Sequence, residues 1–428
     1  MSKLKFQTPT GMHDILPEEQ KYFKKVYSVV ENIAIFYGFK KITTPILEQY
    51  ELFEKGTGLT TDVVQKEMFK LRTKGNDVLA LRPEGTPSVA RAYIQHGMTK
   101  LPQPVKLWYS GPFFRYERPQ AGRYRQFNQF GFEVLGERKA IIDAQIIQIF
   151  YNILKELKFK NLTVEINSMG DSKCRPYYRK LLVSYLKTRV NLLCPNCQKR
   201  FKENPLRILD CKEEKCQKVI ENAPQMIDRL CDECKTHFKQ VLEFLDEIDI
   251  PYILNPYLAR GLDYYTKTVF EIYEDTPEGR KQGALSGGGR YDNLLKLIGG
   301  RETFACGGSC GVERIINLMK EDKKIYFPQS PVPKIFLAQL GNVAKKRALA
   351  LIEEFRKVKI PIFESLSNDS LSSQLRIANK IGVDYALILG QKEVIEKVII
   401  LREMKTGKQS EIKMDKIARV VAKKIKKK

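Results

Sequence analysis

Two extended segments, 105–115 and 126–135, flank the short charged loop 116–125, and this pairing constrains the chain more than any other feature. Strands joined by so short a connection pair antiparallel. A second hairpin is expected from 68–72, the turn Lys74-Gly-Asn-Asp77 and 78–82. Ahead of both, residues 18–37 carry Phe23, Val26, Val30 and Ile33 at helical spacing. Hairpins dominate the first 320 or so residues, so the expectation is an antiparallel sheet with helices packed on it, an α+β domain. Alternation along 126–135 places Asn128, Phe130, Phe132 and Val134 on one face. Gln129, Gly131 and Glu133 share the other, with the glycine leaving room between an acceptor and a carboxylate. Such a row suits a ligand amine and a ring N–H; the plain alternative is a solvent-facing strand.

The chain divides further. Residues 326–333 hold three prolines and read as a linker. Beyond it, 334–428 alternates: strands at 335–340, 360–363, 385–389 and 398–401, helices at 345–358, 371–381 and 414–427. That order predicts a small α/β layer with a mainly parallel sheet. Within the first unit, 1–325, the stretch 171–248 is helical, basic and cysteine-bearing, and reads as an insertion.

The chain has 74 Lys and Arg against 50 acids, a formal charge of +24. This excess favours a polyanionic partner, though a lysine-rich background would also produce it. The N-terminus has no apolar leader and no run of 18 apolar residues occurs, so the expected location is cytoplasmic, with no membrane span. Reduced thiols or metal ligands are then expected of the nine cysteines. The pairs Cys194-x-x-Cys197 and Cys231-x-x-Cys234 have knuckle spacing and, with Cys211 and Cys216 between them, leave two readings open. One is a Zn²⁺ site using both knuckles; the other is buried reduced thiols. No residue is assigned as a metal ligand.

Four further segments carry chemistry. In Phe113-Phe-Arg-Tyr-Glu-Arg-Pro-Gln-Ala-Gly-Arg-Tyr-Arg-Gln-Phe127, Arg115 and Arg123 can grip phosphate oxygens. A tip charged only for solubility would explain Arg118 or Arg125, but not Arg115 and Glu117 at a strand end among aromatics. Arg260-Gly-Leu-Asp-Tyr-Tyr265 sets a cation, an acid and two phenols around a glycine turn. Gly287-Gly-Gly-Arg-Tyr-Asp292 offers close backbone approach to a ligand. Cys306-Gly-Gly-Ser-Cys-Gly-Val-Glu-Arg314 is a small-residue strand entering a helix, where a flat base can lie beneath an arginine. Neither a Walker motif nor a dinucleotide fingerprint is present.

Together with Leu81-Arg-Pro-Glu-Gly-Thr86 and Gly38-Phe-Lys-Lys-Ile-Thr-Thr-Pro-Ile-Leu-Glu48, these segments resemble the histidyl-tRNA synthetases, class II aminoacyl-tRNA synthetases, over essentially the whole chain. The resemblance implies a class II catalytic domain with a helical insertion, followed by a C-terminal α/β anticodon-binding domain. It implies a cytoplasmic ligase that activates L-histidine with ATP and Mg²⁺ and transfers it to tRNA-His. It also implies a homodimer with Pro45 at the interface. By position, Glu84, Gly85, Thr86, Gln129, Glu133, Tyr264 and Tyr265 match the histidine pocket. Arg115 matches the arginine that holds the α-phosphate and the amino-acid carboxylate, with Glu117 and Arg123 beside ATP. Phe127 and Arg314 match the pair that sandwiches adenine, and Arg260 a family-specific cation opposite Arg115. The plain alternative for Arg260 is a pairing with Asp263 that holds the turn. Cys306 and Cys310 depart from the usual third motif and would leave thiols near adenine. Two other classes remain in competition: a histidine-binding regulatory subunit of ATP phosphoribosyltransferase, which typically lacks the C-terminal domain, and a simple RNA-binding module.

Overall fold

The computed structural model describes residues 6–120, 122–275, 283–321 and 333–426, and the chain separates into two compact units, 1–327 and 328–428. In chain order the strands of the first unit are β1 (Lys40–Lys41), β2 (Leu47–Gln49), β3 (Lys70–Arg72), β4 (Val78–Leu81), β5 (Val105–Phe114), β6 (Gln126–Leu135), β7 (Leu162–Ser168), β8 (Tyr252–Leu254), β9 (Thr266–Glu274), β10 (Ser286–Arg290) and β11 (Ala305–Gly311). Eight of them form one sheet in the order β1-β5-β6-β11-β10-β9-β7-β8. Every pairing from β5 to β7 is antiparallel; only the edge strands β1 and β8 are parallel to their neighbours. β5 and β6 pair along their full lengths, from Val105 opposite Leu135 to Phe114 opposite Gln126, and β3–β4 is the second expected hairpin.

The two faces of this sheet have different contents. One is dry: Phe130, Phe132 and Val134 of β6 pack with Phe150, Val241 and Ile315 from the helices Ile141–Glu156, Asp232–Glu247 and Val312–Glu321. A buried Phe there contributes about 1.5–3 kcal/mol by leaving water, so this face anchors the strand register. The other face carries tyrosines, with Tyr109, Tyr264, Tyr265 and Tyr291 packed among Val89, Phe113 and Leu294. Because alternation sends Glu133 and Gln129 to that second face, Glu133 meets the phenol of Tyr291 and Gln129 the hydroxyl of Ser309.

The insertion is helical, built from Arg175–Lys187, Pro195–Glu203, Glu214–Ile220 and Asp232–Glu247. Its core includes Tyr178, Leu182, Ile208 and four cysteines, Cys194, Cys197, Cys211 and Cys216.

The second unit adds β12 (Ile335–Gln339), β13 (Phe363–Glu364), β14 (Tyr385–Leu389), β15 (Val398–Glu403) and β16 (Gln409–Lys413), in the order β13-β12-β14-β15-β16. The sheet is mixed, not mainly parallel: β13, β12 and β14 run parallel, while β14–β15 and β15–β16 are antiparallel. The difference comes from β15 returning antiparallel on β14 and from β16, a mostly exposed strand without an apolar signal, which closes a hairpin with β15. The strand expected at 360–363 is reduced to two paired residues. Helices Gly341–Lys357 and Ile417–Lys426 cover one face, with Leu351 and Val421 against Leu337 and Leu387. Helix Leu371–Ile381 covers the other, with Ala378 near Phe336 and Ile388. The expected linker lies almost wholly outside the described residues, as do Lys427 and Lys428 of the basic tail. Among the described residues no helix is long and apolar enough to cross a membrane.

Candidate active site

Two buried carboxylates define the tyrosine-bearing face. Glu133 is fully inaccessible; Thr86 donates to its Oε1 at 2.7 Å and Tyr291 to its Oε2 at 2.5 Å. Burial pushes its pKa up to about 8; the Tyr291 and Thr86 hydrogen bonds counter part of that rise, and Glu84 adds to it. Glu84 is held the same way, by Thr57 at 2.6 Å and Tyr264 at 2.6 Å. Burial raises its pKa too, against those two hydrogen bonds and the attraction of Arg115 and Arg260. Both arginines therefore act on one carboxylate. Each acid sits at the end of a short polar chain and can accept from a cationic or N–H-bearing ligand.

Rigid backbone positions this pair. Glu84 lies between β4 and the helix Thr86–Gln95, which starts with Pro87 in its first turn. Arg82 pins that connection by donating to Pro112 O at 3.0 Å and Thr44 O at 2.9 Å, and Arg115 Nε donates to Pro83 O at 2.9 Å. Gly85 and Gly131 both face the Tyr109 ring; a Cβ on either would lie within 2.4 Å of a ring atom. The gap at Gly131, expected from sequence to serve a ligand, is filled by Tyr109. Likewise Gly287 makes room for Arg260, whose Nη1 would lie 2.6 Å from an added Cβ.

Gln129, one register nearer the loop than Gly131, donates to Ser309 Oγ at 2.5 Å. Its Oε1 is buried and has no hydrogen-bond partner among the described residues. The Nε of Arg260 is in the same condition. Orphaned buried polar atoms are costly, and each of these two keeps bonding capacity that a ligand could fill. Arg260 pairs with Glu271 of β9, and its guanidinium lies 5.9 Å from the Tyr265 ring centroid. Burial works against its charge, but Glu271 and the phenols of Tyr265 and Tyr264 outweigh that and keep it protonated. Asp263, the partner under the plain alternative, is engaged elsewhere, accepting from Thr60 at 3.0 Å and Asn204 at 3.2 Å. The acidic partner is thus a strand residue 11 positions on, not the neighbouring aspartate.

At the loop end of β6, the Arg115 guanidinium stands 5.7 Å from the Phe127 ring centroid. Glu117 bridges the basic loop, lying 3.9 Å from Arg115 Nη1 and 3.6 Å from Arg123 Nη1. Arg314 donates to Ala284 O; burial, then repulsion from Arg123, lowers its pKa. Its neighbour Glu313 accepts the Asn128 backbone N–H and side-chain amide at 2.8 Å, tying the helix start to the residue after Phe127. Cys306 and Cys310 turn away from all of this into the dry core. The arginine of the glycine-rich segment, Arg290, is also structural: fully buried, it pairs with Asp143 and Asp292.

Sequence reading left Tyr291, Thr57, Glu271 and Glu313 without roles. The first had a signal, since it lies within Gly288-Gly-Arg-Tyr-Asp292; Thr57 and Glu271 had none, because their partners lie 27 and 11 residues away, outside any motif spacing. The two cysteine knuckles do not face one another either. Cys194 and Cys197 gather with Cys211 and Cys216, whereas Cys231 and Cys234 gather with Asp171 and Cys174.

A family model described as histidyl-tRNA synthetase matches residues 11–173 and 187–315, and one described as an anticodon binding domain matches 334–424. The histidine--tRNA ligase of Caldicellulosiruptor saccharolyticus is 44% identical over 424 residues, covering 99% of this chain and 100% of the relative. That of Dehalococcoides mccartyi is 43% identical over 420 residues, covering 98% and 100%. The crystal structure of apo S. aureus histidyl-tRNA synthetase aligns with a TM-score of 0.77 at 33% identity, over 97% of this chain and 99% of that one.

Proposed function

The chain belongs to the histidyl-tRNA synthetase family, and from that premise we propose how its own residues divide the work of the reaction. The activity has two steps: histidine reacts with ATP to give histidyl-adenylate, and the aminoacyl group then passes to tRNA-His. Glu133, Glu84, Gln129, Thr86, Tyr264 and Tyr265, with the backbone at Gly85, hold histidine. The observation that carries this is the unpartnered Gln129 Oε1 on the same face as the two carboxylates, an acceptor waiting for an N–H. Arg115 grips the α-phosphate and the histidine carboxylate, and Glu117 and Arg123 order the phosphates of ATP, which enters with its Mg²⁺ as substrate. Phe127 and Arg314 take the adenine between them. Arg260, with its open Nε, stabilises the charge that builds as carboxylate meets phosphorus.

The unit 1–325, with its insertion 171–248, performs activation, and 334–428 grips the anticodon stem of tRNA-His; the formal charge of +24 supports RNA as the partner. The enzyme works in the cytoplasm as a homodimer. Support for the dimer comes from exposed Ile46 and Leu47 beside an open cavity of about 840 Å³, lined in part by Thr44, Pro45, Glu48 and Arg91, which shares no residue with the carboxylate site.

Pyrophosphate exchange tests the assignment. Histidine should support exchange and other amino acids should stay near background. Gln129→Leu should raise the histidine KM about tenfold or more, the cost of a lost hydrogen bond to a charged group. An unchanged KM would remove Gln129 from the pocket. Deleting 334–428 should leave exchange measurable and abolish charging; equal loss of both in a folded truncation would contradict the division of labour.

A further inference from the structure

We propose that the insertion carries two structural zinc sites, one closed by Cys194, Cys197, Cys211 and Cys216, the other by Cys174, Cys231, Cys234 and the carboxylate of Asp171. In each group the four donor atoms lie within 4.8 Å of one another. Tetrahedral zinc with Zn–S bonds of about 2.3 Å sets its sulfurs about 3.8 Å apart. Cys194 Sγ and Cys211 Sγ are 3.9 Å apart, far beyond a disulfide bond of about 2.05 Å, and all nine cysteines are free. Buried cysteines used only as small apolar fillers have no reason to converge on a point.

Backbone N–H groups support the sulfurs in both places. The Cys197 N–H donates to Cys194 Sγ at 3.4 Å and the Cys194 N–H to Cys216 Sγ at 3.2 Å. In the second group the Cys231 N–H donates to Cys174 Sγ at 3.1 Å. Asp171 Oδ1 accepts from the backbone of Lys173 at 2.9 Å and Cys174 at 3.2 Å, which fixes the carboxylate 3.4 Å from Cys174 Sγ. Such outer hydrogen bonds orient ligands and favour the thiolate. Cys194 and Cys231 also cap the helices Pro195–Glu203 and Asp232–Glu247, where the dipole lowers the cost of a negative sulfur. Four donors with soft thiolates predominating select zinc in a closed, structural site.

The two sites staple different junctions. The first closes the segment between Cys197 and Cys211, whose side chains reach Thr60, Asp62 and Asp263. Arg200 and Arg207 hold Asp62 at 2.6 and 3.2 Å, Arg207 donates to Thr60 O at 2.7 Å, and Asn204 holds Asp263 of the Arg260–Tyr265 signature. The second joins the chain where it leaves β7, at Asp171 and Cys174, to the start of the helix that brings it back. Glu233 of that helix accepts from Lys267 of β9 at 3.0 Å. Metal thereby fixes the insertion against the catalytic sheet.

Elemental analysis of the full chain, purified under reducing conditions without added metal, should find two zinc equivalents. Cys211→Ser and Cys174→Ser should each retain one and the double variant none. Should the variants fail to fold, the native protein still decides: a mercurial thiol reagent should release two zinc equivalents into a chromogenic chelator. Folded protein with less than about 0.1 equivalent that takes up no added zinc would overturn the proposal in favour of plain thiols. Iron in place of zinc would overturn the metal's identity. One equivalent, kept by Cys174→Ser and lost by Cys211→Ser, would overturn the second site.

Discussion

Arg260 and Arg290 stand in similar local sequences, each beside a glycine, a tyrosine and an aspartate, yet the fold bonds them very differently. Arg290 is fully buried, and each of its nitrogens is bonded. Its Nε reaches Asp143 at 3.1 Å, Nη1 reaches Glu137 O at 2.9 Å and Asp292 at 3.2 Å, and Nη2 reaches Lys139 O at 3.2 Å. His237 completes the network, 3.2 Å from Asp143. Arg260 keeps 21% of its side chain exposed, has one acidic partner and holds its Nε unpaired among the described residues. A saturated guanidinium is committed to the fold; one with a spare donor can serve a passing charge. Hydrogen-bond accounting, more than motif membership, separates the two.

Substitutions test that separation. Arg290→Ala should cost about 3–5 kcal/mol in a urea melt, since it strands the buried Asp143 carboxylate. Wild-type stability in that variant would break the comparison at once. A smaller effect should follow from acid. Burial opposes ionisation of Asp143, but Arg290 and His237 hold its pKa far below the ordinary aspartate value. Its contribution is present above the unfolded pKa of about 3.9 and is lost as pH falls below it toward the folded value. Stability should therefore decline steeply below about pH 4, and more shallowly in Asp143→Asn. The mildest effect concerns Glu133, whose pKa in the empty site lies at about 8. A cationic ligand should draw its proton off, so histidine affinity should rise with pH by up to about tenfold per unit until pH approaches 8. Calorimetry in buffers of differing ionisation heat should detect the released proton near pH 7 in wild type and less of it in Glu133→Gln. Identical proton release in the two would show that the carboxylate does not meet the ligand.

Periodicity makes the antiparallel pair β5–β6 and the dry face of β6 legible in the sequence alone, because Phe130, Phe132 and Val134 alternate with polar residues. The site residues were legible as types: Glu133 and Gln129 share the opposite face, and both have partners there. What covers that face was not legible. Tyr109 fills the space at Gly131, Glu271 of β9 takes Arg260 from 11 residues away, and Thr57 caps Glu84 from 27 residues away. Each depends on tertiary closure, which no local spacing encodes. The cysteines failed for a related reason. Two Cys-x-x-Cys pairs invite a single site, but the fold sends them to separate clusters and brings in Cys174 and Asp171 from the insertion's entry.

Arg260, we propose, acts on charge developing in the reaction, while Arg290 holds the fold. Rapid-quench single-turnover formation of histidyl-adenylate by Arg260→His, run beside its thermal melt, addresses this most directly. The account predicts activation slowed on the order of a hundredfold or more, comparable to losing one oxyanion donor, with the melting curve little changed. Transfer from preformed adenylate to tRNA-His should be affected less, since the phosphoryl bond is by then already made. A normal activation rate in the folded Arg260→His protein would contradict the account.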